Sequence, residues 1–454
     1  MALIQKLREK WEYSEFHNVF NWSTNEAKGR SLLLLNNLLA NAANVFITGV
    51  FYTGFLAANG IDIVRVGIIS FIPYIAWAFS LFSPMILCHF KKRKAMLLFN
   101  VSFYYTCVVL ATTIMPYFVE DPTQKTIWFG VFIFLGNLVN ALLGSGASAW
   151  HLHFIPEELN QRNIYFSWMN MVAYVMIAVT AVGSSLLADA LAGSPQQAVV
   201  ISALRYVAFV VFIINCICLY GIPKEYPYKE SEHRVKLLDV FTVPLKSKKF
   251  MLMVTVLVLW NAVCNTNANT WTYYMQNTVG VSYLLLYTSS LVCAVCAIFL
   301  QRKWREAINR FGWFNLLLFC ILITGIWEFL FAFTTERTIW VYVLLSVCSG
   351  FTAVGTNLIF ANLFYVNLPN GNTDIFATFW NFVANIAVFV GSSLGTAFIS
   401  FTEKLEAENG GPFELFGLPF YGSQFLVWIK FVGLMLIGLF VWKMTPKMKP
   451  DEDI

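Results

Sequence analysis

The sequence predicts an all-α membrane protein, with twelve transmembrane helices in two pseudo-symmetric six-helix bundles. Three observations predict it. The composition is too apolar for a soluble globule, with 58% hydrophobic, 17% aromatic and only 12% charged residues and a mean hydropathy of +0.64. Apolar stretches of about 20 residues, the length that spans a bilayer, recur twelve times. The second half of the chain also repeats the first at offsets of 208 to 221 residues.

Residues 1–30 form a mixed, charged tail in which Ile4, Leu7 and Trp11 share one face, as in a short helix lying on a membrane surface. The tail has neither an uninterrupted apolar core nor a small-residue cleavage site, so the first span is the expected insertion signal rather than a secretory leader. Ser23-x-x-Glu26 reads as a capping box before that span. Spans follow near 31–59, 65–88, 95–118, 126–152, 164–190 and 200–222, making one bundle over 31–222. A cytoplasmic central loop at 223–249 carries seven basic residues and three prolines. Spans near 250–276, 283–301, 314–335, 338–366, 374–401 and 423–445 make the second bundle over 250–445, and 446–454 is a cytoplasmic tail. Residues 403–422, around Asn409-Gly410-Gly411-Pro412, read as an external loop.

Charge sets the orientation. With the N-terminus in the cytoplasm, 24 Lys and Arg fall on the cytoplasmic side and 4 on the other, while Arg205 and Lys430 lie inside spans. Both termini are therefore expected in the cytoplasm and the chain in the plasma (inner) membrane. This distribution accounts for the net charge of +5 without nucleic acid. The nine cysteines all lie in or beside apolar spans, where they read as small apolar fillers rather than a disulfide or redox set.

The repeat is clearest where Ile164-Tyr165-Phe166-x-Trp168-x-Asn170 meets Ile375-Phe376-Ala377-x-Phe379-x-Asn381, and where Gly183-Ser184-Ser185-Leu186 meets Gly391-Ser392-Ser393-Leu394. Asn44 and Tyr52 likewise stand eight apart, as do Asn265 and Tyr273. An even number of spans per half gives the halves one orientation, related by an axis along the membrane normal.

The two opening helices carry the polar signal. Asn37, Asn41 and Asn44 fall on one helical stripe, and Asn261, Asn265 and Asn269 repeat the device ahead of Trp271 and Tyr273. Amides are unfavourable against acyl chains, so each stripe must face protein, water or solute. One reading is helix-to-helix glue, about 0.6 to 2 kcal/mol per amide. The other is cavity lining.

Two six-helix halves, a basic central loop and cytoplasmic termini resemble the major facilitator superfamily of secondary transporters over nearly the whole chain. The loop after span two keeps the family's basic run in Lys91-Lys92-Arg93-Lys94 but has Cys88 about where the family's Asp stands. The loop after span eight is closer, with Arg305 and then Asn309-Arg310-Phe311-Gly312. Arg162, Arg305, Asn309 and Arg310 are the implied gating residues. The arginine and the glycine- and proline-rich motif of the family's proton antiporters are missing from spans four and five.

The resemblance implies that spans one, four, seven and ten line a central cavity. The residues expected to bind substrate are therefore Asn37, Asn41, Asn44, Tyr52, Asn137, Asn140, Trp150, Asn261, Asn265, Asn269, Trp271, Tyr273, Thr356 and Asn357. Amides and hydroxyls interleaved with Trp and Tyr suit a neutral polyhydroxylated solute such as a sugar or glycoside. Carbohydrate transport, facilitated or as a symporter drawing on a proton or sodium gradient, is the expected activity, carried out by a monomer with no cofactor. Glu328 and Lys430, in spans nine and twelve, are expected to form a structural ion pair in peripheral helices. The alternatives are an exporter of amphipathic drugs or cations, which an aromatic cavity also holds, and a non-transporting sensor. An enzyme is disfavoured: His151-x-His153-x-x-x-Glu157 could be imagined as a metal site, but its histidines do not share a helix face and no second catalytic cluster accompanies it. No metal site is expected.

Overall fold

The computed structural model describes residues 15–87, 89–90, 92–144, 150–151, 154–156, 159–222, 237–364, 366–369, 373–415 and 417–448. The surface-helix residues Ile4, Leu7 and Trp11, Cys88, Lys91, His153, Glu157 and the loop 223–236 lie outside them, as do the side chains of Arg162, Arg305 and Asn309. Eleven described helices are long and apolar enough to cross a membrane.

In the first half these are α1 (Asn25–Ala58), α2 (Ile63–Phe82), α3 (Lys94–Tyr117), α4 (Pro122–Leu143), α5 (Leu159–Asp189) and α6 (Pro195–Tyr220). The second half opens with α7 (Lys248–Asn277) and continues with α8 (Thr288–Phe311), α9 (Trp313–Phe331), α10 (Ile339–Asn362), α11 (Thr373–Glu408) and α12 (Gly422–Met448). The twelfth helix is α8, which packs along α10. Its first half is apolar, whereas its second carries Arg302, Lys303, Arg305, Glu306 and Arg310, so it falls short of an uninterrupted apolar span.

Short polar side chains start the helices. Thr24 accepts a hydrogen bond from the Ala27 N–H at 3.1 Å, Asp62 from Arg65 at 2.8 Å and Asp121 from Gln124 at 2.8 Å. The first cap thus falls one residue after the expected Ser23, whose hydroxyl bonds the Asn21 side chain instead. Pro122 and Pro195 occupy first-turn positions, where a missing N–H costs nothing. One apolar core centres on Phe51, Phe55, Phe129 and Phe212 of the first half, joined by Tyr283 of the second, and another on Met253, Leu317, Ile359 and Leu434.

The opening helix of each half is broken, where the sequence predicts a continuous span. In α1 the segment Asn25–Ile47 ends at an extended Thr48 and restarts as Gly49–Ala58, with Gly49 at φ 57°. That left-handed conformation favours glycine. In α7 the helix stops at Cys264 and restarts at Ala268. The intervening Asn265-Thr266-Asn267 run competes for its own backbone: Asn265 Nδ2 donates to Asn261 O at 2.8 Å and the Thr266 hydroxyl to Val263 O at 2.9 Å. The two breaks sit at matching places in the repeat.

Other details differ from the expected spans. Helix α4 as described runs to Leu143 with Gly144 as its C-cap, and Trp150 and His151 are helical again beyond residues 145–149, which lie outside the described ones. Helix α11 runs on to Glu408, and Phe413–Leu415 pairs with Leu418–Phe420 as a short antiparallel hairpin, so 403–422 is not a simple loop. Within α3, Thr106–Ala111 forms a π-helical turn.

Helix crossings are close where glycine removes the side chain. A Cβ on Gly391 or Gly395 would strike the carbonyls of Ala262 and Thr266, so α11 lies backbone to backbone against α7 within the second half. Between the halves, Gly67 of α2 lies against Thr396 of α11.

Candidate functional site

The charge bias expects the basic segments 91–94 and 302–310 on the cytoplasmic side, and contacts join the halves toward the opposite face. There the second segment of α7 packs on α2 and on the second segment of α1. Gln276 Nε2 donates to Val50 O at 2.9 Å, and Asn269 Nδ2 donates to Ser70 Oγ at 2.7 Å. The Asp189 carboxylate at the end of α5 accepts the backbone N–H groups of Tyr283 (2.8 Å) and Leu284 (3.0 Å), just ahead of α8. A carboxylate holding two backbone donors is a charge-assisted latch between the halves.

Inside the second half lies a polar cavity of about 340 Å³. Cys264, Asn267, Ala268 and Trp271 reach it from α7, and Thr324, Trp327, Glu328 and Phe331 from α9. Helix α10 contributes Tyr342, Ser346, Ser349, Thr352, Ala353, Thr356 and Asn357, and α12 contributes Lys430. The break in α7 places Asn267 here, as the N-cap residue of the outer segment. Trp327 Nε1 donates to Thr352 Oγ1 at 3.1 Å, which fixes one indole on the wall. Lys430 Nζ stands 2.7 Å from Glu328 Oε1 and 3.4 Å from Asn267 Oδ1. The lining therefore combines hydroxyls, amides, two indoles and a charge pair with no net charge.

Of the residues expected to bind substrate, Trp271, Thr356 and Asn357 line this cavity. The structure does not bring the others to it. Asn37 Nδ2 donates to Met169 O of α5 at 2.8 Å, and Asn41 Nδ2 donates to Asn37 O at 2.7 Å. Asn137 is buried and bonds Ile133 O at 2.8 Å in its own helix, while Asn140 Oδ1 accepts from Asn100 Nδ2 of α3 at 3.0 Å. Asn37 and Asn140 thus bond helix to helix, as in the glue reading, whereas Asn41 and Asn137 bond within their own helices. Trp150 is 2% exposed and meets Phe154 edge to face in the core. Tyr273 packs against the first half's core.

Asn44 is exposed at the α1 break, where its carbonyl accepts both the Thr48 N–H (3.1 Å) and hydroxyl (2.7 Å). Asn261 lies before the α7 break and Asn265 within it, with Asn265 O accepting from Ser392 Oγ at 3.0 Å, and Asn269 joins the halves through Ser70. Among the implied gating residues with described side chains, Arg310 is exposed and lies over the Phe311 ring at 5.3 Å.

Tyr52 faces a different feature. Arg205 is fully buried in the first half, donating to Thr113 Oγ1 (2.8 Å), Thr112 Oγ1 (2.7 Å) and Val108 O (3.0 Å). The π-turn of α3 supplies the last of these. The guanidinium packs over Phe55 at 4.3 Å and near the Tyr52 ring at 5.6 Å.

Glu328 and Lys430 form the expected ion pair but correct the expected location: α9 and α12 contribute directly to the cavity. Asn267 and Trp327 were not anticipated as lining. A polar run Asn265-Thr266-Asn267 in an apolar span was the signal for the first, and two lone charges on different spans were the signal for the wall that holds Trp327.

A model described as Major Facilitator Superfamily matches residues 34–392. No curated protein matches the chain significantly. Among solved structures, the nucleoside transporter NupG superposes with a TM-score of 0.61 at 14% identity, covering 93% of this chain and 99% of that one. A D-xylose-proton symporter gives 0.65 at 13% identity, covering 93% and 98%. A bacterial homologue of the iron transporter ferroportin, in an inward-facing state, gives 0.65 at 13% identity, covering 91% and 98%. At these identities the likeness is one of fold.

Proposed function

Because the chain belongs to the major facilitator superfamily and so stands among secondary transporters rather than enzymes, we propose that it carries a small, uncharged, polyhydroxylated solute by alternating access. The supporting observation is the cavity of the second half, whose amides, hydroxyls and indoles surround a charge pair that sums to zero. Such a wall offers hydrogen bonds and ring faces without unbalanced charge. At about 340 Å³ it falls at the small end of ligand pockets, roughly 300 to 1,000 Å³, which favours a single sugar ring or a comparable polyol over a long glycoside.

We assign Trp271, Thr356 and Asn357 to solute contact, and place Asn44 and Asn265, at the two helix breaks, along the solute's path. Broken helices recur at transporter binding sites because interrupted backbone is tolerated there only when it faces a cavity or protein. The closed opposite face represents one end of the cycle, and opening it requires release of the Asp189 latch and the Asn269–Ser70 bond. The excess of Lys and Arg on one side supports a cytoplasmic location for both termini.

Thermal unfolding of the purified protein tests the assignment. A bound polyol at about 100 times its Kd should stabilise the fold by about 2.7 kcal/mol. Trp271→Ala and Asn357→Ala should lose that shift while melting like wild type without solute. A shift produced by cationic dyes alone would overturn the reading.

A further inference from the structure

We propose that Glu328 and Lys430 together recognise two adjacent hydroxyls of the transported solute, making this ion pair the specificity determinant of the cavity. The inference rests on the reading of that cavity as a polyol site and adds which groups read the solute.

The valences left over by the pair carry it. Lys430 Nζ directs one N–H at Glu328 Oε1 (2.7 Å) and a second at Asn267 Oδ1 (3.4 Å), and an ammonium has three. One donor remains. Glu328 engages Lys430 through Oε1, and among the described residues its Oε2 has no protein partner. The two side chains are 17% and 11% exposed and both reach the cavity, so a free donor and a free acceptor stand side by side at its wall.

Adjacent ring hydroxyls match this arrangement. One donates to Oε2 while the oxygen of its neighbour accepts from Nζ, and gauche vicinal oxygens stand about one hydrogen-bond length apart. Neither new bond requires the ion pair to part. A zwitterion would have to split a 2.7 Å pair and desolvate both halves, and a lone ion would leave one partner uncompensated. The flanking indoles of Trp271 and Trp327 supply apolar faces for the C–H side of a ring, and the Trp327–Thr352 bond holds one of them in place. The pair is oriented through Asn267, which the α7 break presents to α12.

Counterflow in proteoliposomes tests this with D-glucose, D-galactose, D-mannose and D-xylose, the monodeoxy derivatives of each, and glycine and alanine as zwitterionic competitors. For the accepted sugar, removing either of two adjacent hydroxyls should weaken competition roughly 10- to 100-fold, as expected for hydrogen bonds to charged groups. Removal of the other hydroxyls should cost less. The double variant Glu328→Gln with Lys430→Met removes both charges at once and so leaves no uncompensated ion. It should still assemble and take up the parent sugar weakly, with the preference over the two deoxy analogues reduced to within about threefold.

Sugars that compete without an adjacent pair of sensitive positions would overturn the inference and leave the polyol reading standing. So would a folded double variant that keeps the wild-type preference. If the double variant fails to assemble, the wild-type deoxy scan decides. Competition by glycine or alanine but by none of the sugars would overturn both.

Discussion

Replacing Asp189 by Ala removes both acceptor oxygens that its side chain offers to the segment just ahead of α8. The two bonds to Tyr283 and Leu284, at 2.8 and 3.0 Å, are charge-assisted, a class contributing about 1.5 to 3 kcal/mol each. Asp189 is half-buried, so solvent screens part of that. Taking the lower value once for the pair gives about 1.5 kcal/mol, or roughly a tenfold shift in any opening equilibrium that breaks the latch. Hydrogen exchange followed by mass spectrometry reads those two amides directly. In Asp189→Ala the peptide covering Tyr283 and Leu284 should exchange about tenfold faster, while the helix interior of α9 is unchanged. Asp189→Asn keeps an acceptor for one amide and should fall between. Unchanged exchange at 283 and 284 in a normally folded Ala variant would refute the latch.

Other consequences follow from the same contacts. Gly395→Val should destabilise the second half by at least about 1 to 3 kcal/mol, because its side chain would enter the Thr266 carbonyl; thermal unfolding in detergent checks it. Thr113→Val takes from Arg205 the acceptor of its Nε and should cost about 1.5 to 3 kcal/mol, measured the same way. Burial lowers the pKa of His151 below its ordinary 6.5. The unfolded chain then binds the proton more readily, so the stability contributed by neutral His151 is present above pH 6.5 and is lost as pH falls through and below it. Melting temperatures at pH 5.5 and 7.5 should therefore converge in His151→Gln relative to wild type.

Architecture was legible from the sequence because membrane helices depend on length, hydropathy and flanking charge, all of which are local. The repeat and the count of twelve follow from the same signals, and α8 shows their edge: it joins the bundle although its second half is basic. The candidate site was less legible. An amide in an apolar span must find a partner, but the sequence does not say whether that partner is solute or another helix, and Asn37 and Asn140 found α5 and α3. Tyr52 was drawn toward a buried arginine. Glu328 and Lys430 were visible as a pair, yet their place beside Trp271 and Asn357 depends on how α9 and α12 pack against the broken α7, a tertiary fact. The breaks were not anticipated, although Thr48-Gly49 and Asn265-Thr266-Asn267 are runs that form helices poorly.

The proposed activity of this member of the superfamily is movement of a small neutral polyol. Counterflow in proteoliposomes tests it most directly, with labelled sugar outside and unlabelled sugar loaded within. The expected result is saturable, transient accumulation of a monosaccharide that Trp271→Ala abolishes. Accumulation of a cationic dye, with every monosaccharide, nucleoside and glycoside of the panel inert, would contradict it.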